Sequence, residues 1–537
     1  MGLKYRSKID FASILNGDKE GFNLGIDGSL FLREEATPRV FNPPRIGTQG
    51  ISEGAASAVT DISIGTDNKL KISVDGGAIV DVTVDESLGS TGDLIASELE
   101  TKINAALLAA AQDARVWVYY DNSDDHYEVY SQLTGESSSV VITDGASDNV
   151  ADDLKLGVAN GGTETAGEND QDFLLYTTGG PTFEQPVESN PHRSQRFHVG
   201  IIKQKKVVNF DIDTLLNMSG SAGDSLDTAL RLLLKSAFGK ETVTAGVSIK
   251  YEQDIPNTFF TMVRASTIFA EYYTGCYCKD YTITAPGDAP VTMKFVGMGS
   301  NCSIAGIGKS TTGATASQDV VLDNVTYKHI ERFSVNARVM VVGADGRTIT
   351  DGYSGNLYVT GVNLNTDTLS LSSAVDVEAG GFIVFWHPGA VQQTGRDNVY
   401  TDLEGSFKFN LTDPEVCCTN INLNLVNDHI DRNNCFGTDV NQGFIAGNRL
   451  TATLEATLDL SNDNLGNLVQ AREFGGFRPQ LIIGDTSGRH LEIYAPKWVV
   501  SVPAIDLPEN GSTSEPFTGN LFQSEAGAKD PFYFEFK

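Results

Sequence analysis

Ser225-Leu-Asp-Thr-Ala-Leu-Arg-Leu-Leu-Leu-Lys-Ser-Ala-Phe238-Gly239 reads as a short helix closing on a Phe-Gly pair, with Tyr273 and then Pro286 through Phe295-Val-Gly297 behind it. Ser461-Asn-Asp-Asn-Leu-Gly-Asn-Leu-Val-Gln-Ala-Arg-Glu-Phe474-Gly475 repeats the helix, followed by Tyr494 and by Pro508 through Phe517-Thr-Gly519. A helix to Phe-Gly, a strand with a tyrosine and a Pro-x8-Phe-x-Gly segment therefore occur twice. One fold is written twice in one polypeptide. A duplicated unit with no reactive constellation in either copy reads as a building block whose symmetry is its function, because linking two copies halves the subunits needed to close a ring.

Working outward, the first copy occupies 168–310 and opens on the alternating strand Val207-Val-Asn-Phe210-Asp-Ile212. The second fills 398–537, with Leu450-Thr-Ala-Thr-Leu454-Glu-Ala-Thr-Leu458 as the strand before its helix. It ends on Phe532-Tyr-Phe534-Glu-Phe536-Lys537, whose phenylalanines share one face of a strand and need a sheet to bury them. Residues 1–54 read as an arm and the start of the first copy. Pro38, Pro43 and Pro44 break regular structure there, and such arms reach neighbours.

Two units interrupt this plan. At 55–167 the strands Leu70–Val74, Ile79–Val84, Val116–Tyr120, Tyr127–Tyr130 and Val140–Ile142 accompany a helix capped by Thr91 or Asp93. Its Leu94, Ile95, Leu99, Ile103, Ala106, Leu107 and Ala110 fall on one face, so it packs on a sheet, and Gly161–Gly167 closes the unit as a linker. At 320–397 short strands, Val339–Val342, Leu357–Val359, Leu369–Leu371 and Phe382–Trp386, read as a small barrel or sandwich. The expected fold class is mainly β.

Composition narrows the function. The 537 residues carry 54 glycines, 40% apolar and 20% charged residues, which describes a folded, turn-rich chain of several domains. A net charge of -31 argues against binding a phosphate backbone and suits a surface that must not stick to DNA, or one that is simply soluble. The N-terminal stretch lacks the apolar core of a secretory signal, and no run approaches the length that spans a bilayer, so folding in a cytoplasm is expected. Met1-Gly2 lacks the Ser or Thr of a myristoylation signal, since Arg6 stands there. Cys276, Cys278, Cys302, Cys417, Cys418 and Cys435 have no paired spacing and read as free thiols.

Tyr272-Tyr273-Thr-Gly-Cys276 leading to Tyr281-Thr-Ile283-Thr and Pro286-Gly287, Arg432-Asn-Asn434 with Gly443–Gly447 leading into Thr451–Glu455, and the closing Asp530–Phe536 resemble the tail tube proteins of long-tailed bacteriophages. The resemblance covers most of 172–300 and 398–537. It implies two tandem β-sandwich or split-barrel domains, each with a flanking helix, whose inner strands join those of neighbours into a barrel around a channel. It implies a structural virion protein with no enzymatic activity and no cofactor or metal. Three chains would form a pseudo-six-fold ring, with six-subunit rings as the alternative, and rings would stack into a tube that conducts the genome. The partners implied are other copies of the chain, a tape measure protein in the lumen, terminator and distal tail proteins at the ends, and passing DNA without specific binding. The place implied is the virion tail, assembled in a bacterial cytoplasm. The 55–167 unit, with Thr134–Thr143, is similar to modules inserted in tail sheath and flagellar hook-associated proteins.

Lumen-facing carboxylates would let DNA slide, and Asp211, Asp213, Glu455 and Asp459 are candidates that fit ordinary solvent-facing positions equally well. Other chemistries fit poorly. Gly306-Ile-Gly308-Lys309-Ser310 has the end of a phosphate-loop pattern, but Ser303 replaces its first glycine, and a flexible connector is expected. Asp121–Asp125 has calcium-loop acids, but His126 and Gln132 stand where Gly and Glu belong, so it reads as a solvated hairpin tip. His192 and His198 lack helical metal spacing, and Cys276 and Cys278 share a strand face without a histidine nearby. Two alternatives stay open: a contractile sheath or other outer tail protein, and a carbohydrate-binding or depolymerising protein with Trp117, Trp386 and Trp498 as sugar platforms.

Overall fold

A computed structural model describes residues 29–44, 49–56, 69–84, 91–112, 114–121, 125–132, 138–145, 150–167, 172–174, 176–185, 187–189, 201–203, 206–216, 226–254, 257–266, 268–287, 289–323, 329–344, 349–352, 355–387, 405–411, 413–416, 418–431, 444–459, 465–473, 476–485, 489–501, 514–522 and 532–537. Arg432–Asn434, His192, His198, Cys417, Cys435, Phe474, Gly475 and Pro508 lie outside them. The fold is mainly β, built from antiparallel sheets.

The largest sheet has twelve strands among the described residues, and eight of them form its main path: β1 (Thr178–Glu184), β2 (Val207–Leu215), β3 (Ala270–Pro286), β4 (Thr292–Gly299), β5 (Cys418–Asp431), β6 (Phe444–Asp459), β7 (Lys497–Val500) and β8 (Ser514–Phe522). Their order is β1-β2-β4-β3-β5-β6-β8-β7. Alternation makes them strands. Val208, Phe210 and Ile212 are buried while Asn209 and Asp211 between them are exposed, so one face meets the core and the other meets solvent.

The repeated motif lands in the same register twice. In the first copy Phe295 of β4 lies opposite Ile212 and Gly297 opposite Phe210, both on β2. In the second, Phe517 of β8 lies opposite Ala456 and Gly519 opposite Leu454, both on β6. The other neighbour of each glycine is again equivalent: Cys278 on β3 for Gly297 and Val500 on β7 for Gly519. Neither glycine has room for a side chain, because an added Cβ would stand 2.1 Å from Phe210 Cζ in one case and 2.1 Å from the Val499 carbonyl oxygen in the other. The tyrosines do not correspond. Tyr273 sits in β3, whereas Tyr494 ends a strand of a second sheet.

That second sheet has six strands, in the order Gly239–Thr244, Ser248–Gln253, Tyr533–Phe536, Arg489–Tyr494, Gln480–Asp485 and Ser406–Lys408. The hairpin that follows each copy's helix therefore joins the other hairpin through the C-terminal strand. About that strand the hairpins run in reversed order, a departure from the repeat that arises because one C-terminal strand serves both. The helix Thr228–Phe238 buries Leu230, Leu233, Leu234, Ala237 and Phe238 and stops at Gly239, whose φ of 95° only glycine adopts without strain. A single apolar core runs from Leu30 through this helix to Trp498 and Phe536, across both copies.

A second core joins Phe31, Val263 and Tyr272 to the strands of 305–386, and a third uses only residues 70–156. In that third unit the helix Gly92–Ala109 buries Ile95, Leu99, Ile103 and Leu107, but Leu94 is exposed. Several boundaries differ from the sequence reading. The Gly161–Gly167 linker contains a strand, Thr163–Thr165, which pairs with Ile51–Glu53, so the inserted sheet takes in residues ahead of 55. Gly306–Ser310 is no flexible connector: Ile307–Lys309 pairs with Phe382–Phe385, and Ala314–Val321 joins the neighbouring small sheet, so the second unit begins before 320. The glycines mislead because Gly308 is small for packing: a Cβ added there would stand 3.0 Å from both Leu322 and Phe333.

The reading of residues 1–54 as an irregular arm is corrected only from Ser29 on, since residues 1–28 and 45–48 lie outside the described ones. Ser29–Glu34 is a strand between Phe260–Ala265 and Phe173–Leu174, with Leu30 and Leu32 in one core and Phe31 in the other. Such a strand, buried on both faces, has no alternation to betray it. The following residues fold back on their own chain. Glu35 accepts from the Gly275 N–H at 2.7 Å, from the Thr261 hydroxyl at 3.2 Å and from the Arg39 N–H. Phe41 packs edge-on to Tyr272 and Trp386, beneath the Arg338 guanidinium at 4.4 Å.

Burial pushes the Glu35 carboxyl above the usual carboxylate range, against the pull of those donors. The folded chain thus holds this proton more tightly than the unfolded chain. The group's contribution is full below the ordinary carboxylate pKa and is lost as pH rises through the raised value. Glu35→Gln is expected to flatten the fall of the urea midpoint between acid and neutral pH, and Glu35→Ala to cost about 2–3 kcal/mol by stranding two N–H groups. Parallel midpoint curves for wild type and Glu35→Gln would contradict this.

Candidate functional site

The surface with functional promise is the outer face of the eight-strand path of the largest sheet together with its two ends. Residues alternate with the core positions there: Asn209, Asp211 and Asp213 on β2, Thr282 and Thr284 on β3, Asn422 and Asn424 on β5, Thr453, Glu455 and Thr457 on β6, Thr518 on β8. Of the four sequence candidates, Asp211, Asp213 and Glu455 share this face, and the side chain of Asp459 lies outside the described residues. Lys294 is neutralised at 2.9 Å by Asp211, and Asp213 accepts from the Thr178 hydroxyl at 2.7 Å. Across the join between the copies the Thr282 hydroxyl reaches Asn424 at 3.0 Å. Over β2, β3, β5 and β6 the face is one of amides and hydroxyls with interspersed carboxylates; Lys294 on β4 is paired, Val296 and Met298 lie beside it, and the β8-β7 end adds exposed Lys497, Val499 and Phe522.

The join itself is continuous ladder. β3 and β5 pair from Asp280 opposite Val426 to Pro286 opposite Asn420. Every adjacent pair in the sheet is antiparallel, so β1 and β5 run the same way, as do β2 and β6, β4 and β8, and β3 and β7. The copies are related head to tail, the heterologous relation that propagates rather than pairs off. At the sheet's ends, β1 is paired on one side only among the described residues, and β7 is bridged on its outer side at Trp498 by Phe477.

Other sequence candidates resolve into packing. Trp386 and Trp498 are fully buried and Trp117 is 8% exposed, so none offers a ring to a sugar. The sandwich of Phe409 and Trp498 is a core stack. Cys276 and Cys278 are buried, and burial pushes both thiols up, away from thiolate reactivity. Lys309 is in a strand, where its N–H donates to His329 Nδ1 at 3.0 Å, the opposite of a phosphate loop's open amide. His387 is held down to about 4 by burial and so stays neutral. Asp121 pairs with His126 across the strands Val116–Asp121 and His126–Ser131, and residues 122–124 of the acidic turn lie outside the described residues. Among the described residues no helix is long and apolar enough to cross a membrane. No protein-family model matches this sequence, and no curated protein matches it.

Proposed function

We propose that this chain is a tail tube subunit, a structural protein without enzymatic activity that polymerises into the hollow tube of a long-tailed phage. The observation that carries the reading is the head-to-tail placement of two sequence repeats, in equal register and direction, within one sheet. Three such chains would supply six equivalent staves, the β1 edge of each chain receiving the β7 end of the next. The amide, hydroxyl and carboxylate face would line the bore. A surface without free lysine rows does not collect phosphates, so DNA would pass without binding. The tape measure protein would fill the bore before ejection, terminator and distal tail proteins would close the ends, and the two inserted units would decorate the outside.

Negative-stain imaging and mass measurement of the purified full chain test this. Rings of three chains with an open bore, stacking into tubes as concentration rises, are the expected result. Rings of six chains around a separate tube would favour the sheath reading, and compact particles without a bore would end both.

A further inference from the structure

The inserted unit carries a cluster of carboxylates around one buried histidine. The strand Ile51–Glu53 lies beside the hairpin strand His126–Ser131 with Glu53 opposite Glu128, and His126 lies opposite Asp121 on Val116–Asp121. Pairing and the two-residue period put Glu53, Asp121, His126 and Glu128 on one face. Ligand atoms of Asp121, His126 and Glu128 all lie within 4.8 Å of one another. The His126 side chain is 3% exposed, and its Nε2 is buried without a hydrogen-bond partner, although Glu53 Oε1 is at 3.5 Å and Glu128 Oε1 at 3.4 Å.

Those separations are informative. An N–H···O bond spans about 2.7–3.2 Å, so neither carboxylate has closed on the imidazole. Two ligands on a tetrahedral ion, bound at about 2.0–2.2 Å each, stand roughly 3.3–3.6 Å apart. Three carboxylates around one buried imidazole also repel one another unless a cation, the imidazolium or a metal ion, lies among them. The Tyr130 hydroxyl donates to Glu128 Oε2 at 3.2 Å, which orients that carboxylate and leaves Oε1 for the centre.

We propose that His126, Glu128 and Glu53, with Asp121 beside them, bind one divalent transition metal ion of the zinc class. An imidazole donor selects against Mg²⁺ and Ca²⁺, which take oxygen ligands. The ion ties the strand Ile51–Glu53, by which the chain enters the unit, to the neighbouring hairpin, a structural clip rather than a catalytic centre.

The test titrates chelator-stripped full-length chain with Zn²⁺ by calorimetry, with Mg²⁺ as control. One more Zn²⁺ is expected per wild-type chain than per His126→Gln chain, and about tenfold weaker binding at that site in Tyr130→Phe. Co²⁺ in place of Zn²⁺ is expected to give the intense visible absorption of a four-coordinate ion, lost in Glu128→Gln. Equal Zn²⁺ stoichiometry in wild type and His126→Gln, or only the pale spectrum of aqueous Co²⁺ with wild type, overturns the proposal. Should His126→Gln not fold, the Glu53→Gln and Glu128→Gln variants, at less buried positions, carry the same comparison.

Discussion

Gly297→Ala is expected to destabilise the protein by about 3–5 kcal/mol, among the largest costs of a one-methyl change. The added Cβ would lie 2.1 Å from Phe210 Cζ and 2.2 Å from the Tyr277 carbonyl oxygen. The backbone has nowhere to retreat, because β4 is held by ladders to β2 on one side and β3 on the other. Gly519→Ala meets the Val499 carbonyl oxygen at 2.1 Å and should behave alike, at the same place in the second copy. Gly466, with open space around its Cβ position on the helix Leu465–Arg472, sets the sign of the control. Alanine there is neutral or gains up to about 1 kcal/mol of helix propensity. Urea midpoints at constant slope read all three, and a Gly297→Ala midpoint within error of wild type would show that the register described for β4 is wrong.

Phe534→Ala is expected to cost about 3–5 kcal/mol and, if the chain is the proposed tube subunit, to abolish ring assembly as well. Phe534 is fully buried in the one strand that both hairpins share, opposite Tyr251 on one side and Ile493 on the other. Its ring lies 4.7 Å from Phe238, the last residue of the first copy's helix, and 5.7 Å from Tyr281 on β3. Truncation leaves a cavity where the two copies and the two sheets meet, so the loss falls on the relation between copies and not on one of them. Glu535, on the opposite face, accepts from Ser248 and pairs with Lys537 at 3.0 Å in a partly exposed setting, and Glu535→Ala should cost under about 1 kcal/mol. Thermal unfolding and particle imaging of both variants check the contrast. Intact rings from Phe534→Ala would mean that the C-terminal strand does not hold the copies in place.

What was legible in the chain was local. The alternation of Val208, Phe210 and Ile212 predicted a half-buried strand, the leucines of 228–238 a helix, and the terminal phenylalanines a strand face that needed cover. The Phe-x-Gly recurrence anticipated two equivalent strands, because a glycine with no room for Cβ must recur wherever the same neighbours do. Glycine was also the source of error, since Gly306 and Gly308 read as a connector although their smallness serves packing. The candidate carboxylates were nameable in advance, but that Asp211, Asp213 and Glu455 share one face of one sheet waited on the strand order.

From residue order alone came the strand and helix periods, the recurrence of the Phe-x-Gly segment, the acidic balance and the lack of a paired cysteine framework. Tertiary structure alone decided that Ser29–Glu34 lies between two cores, that the hairpins reverse about the C-terminal strand, that the copies abut through β3 and β5, and that Glu53 meets His126. The division has one physical cause. Side-chain periodicity is set by the backbone of a single segment, whereas ladder partners are chosen among segments far apart in sequence by which burial and hydrogen bonding the whole chain can satisfy at once.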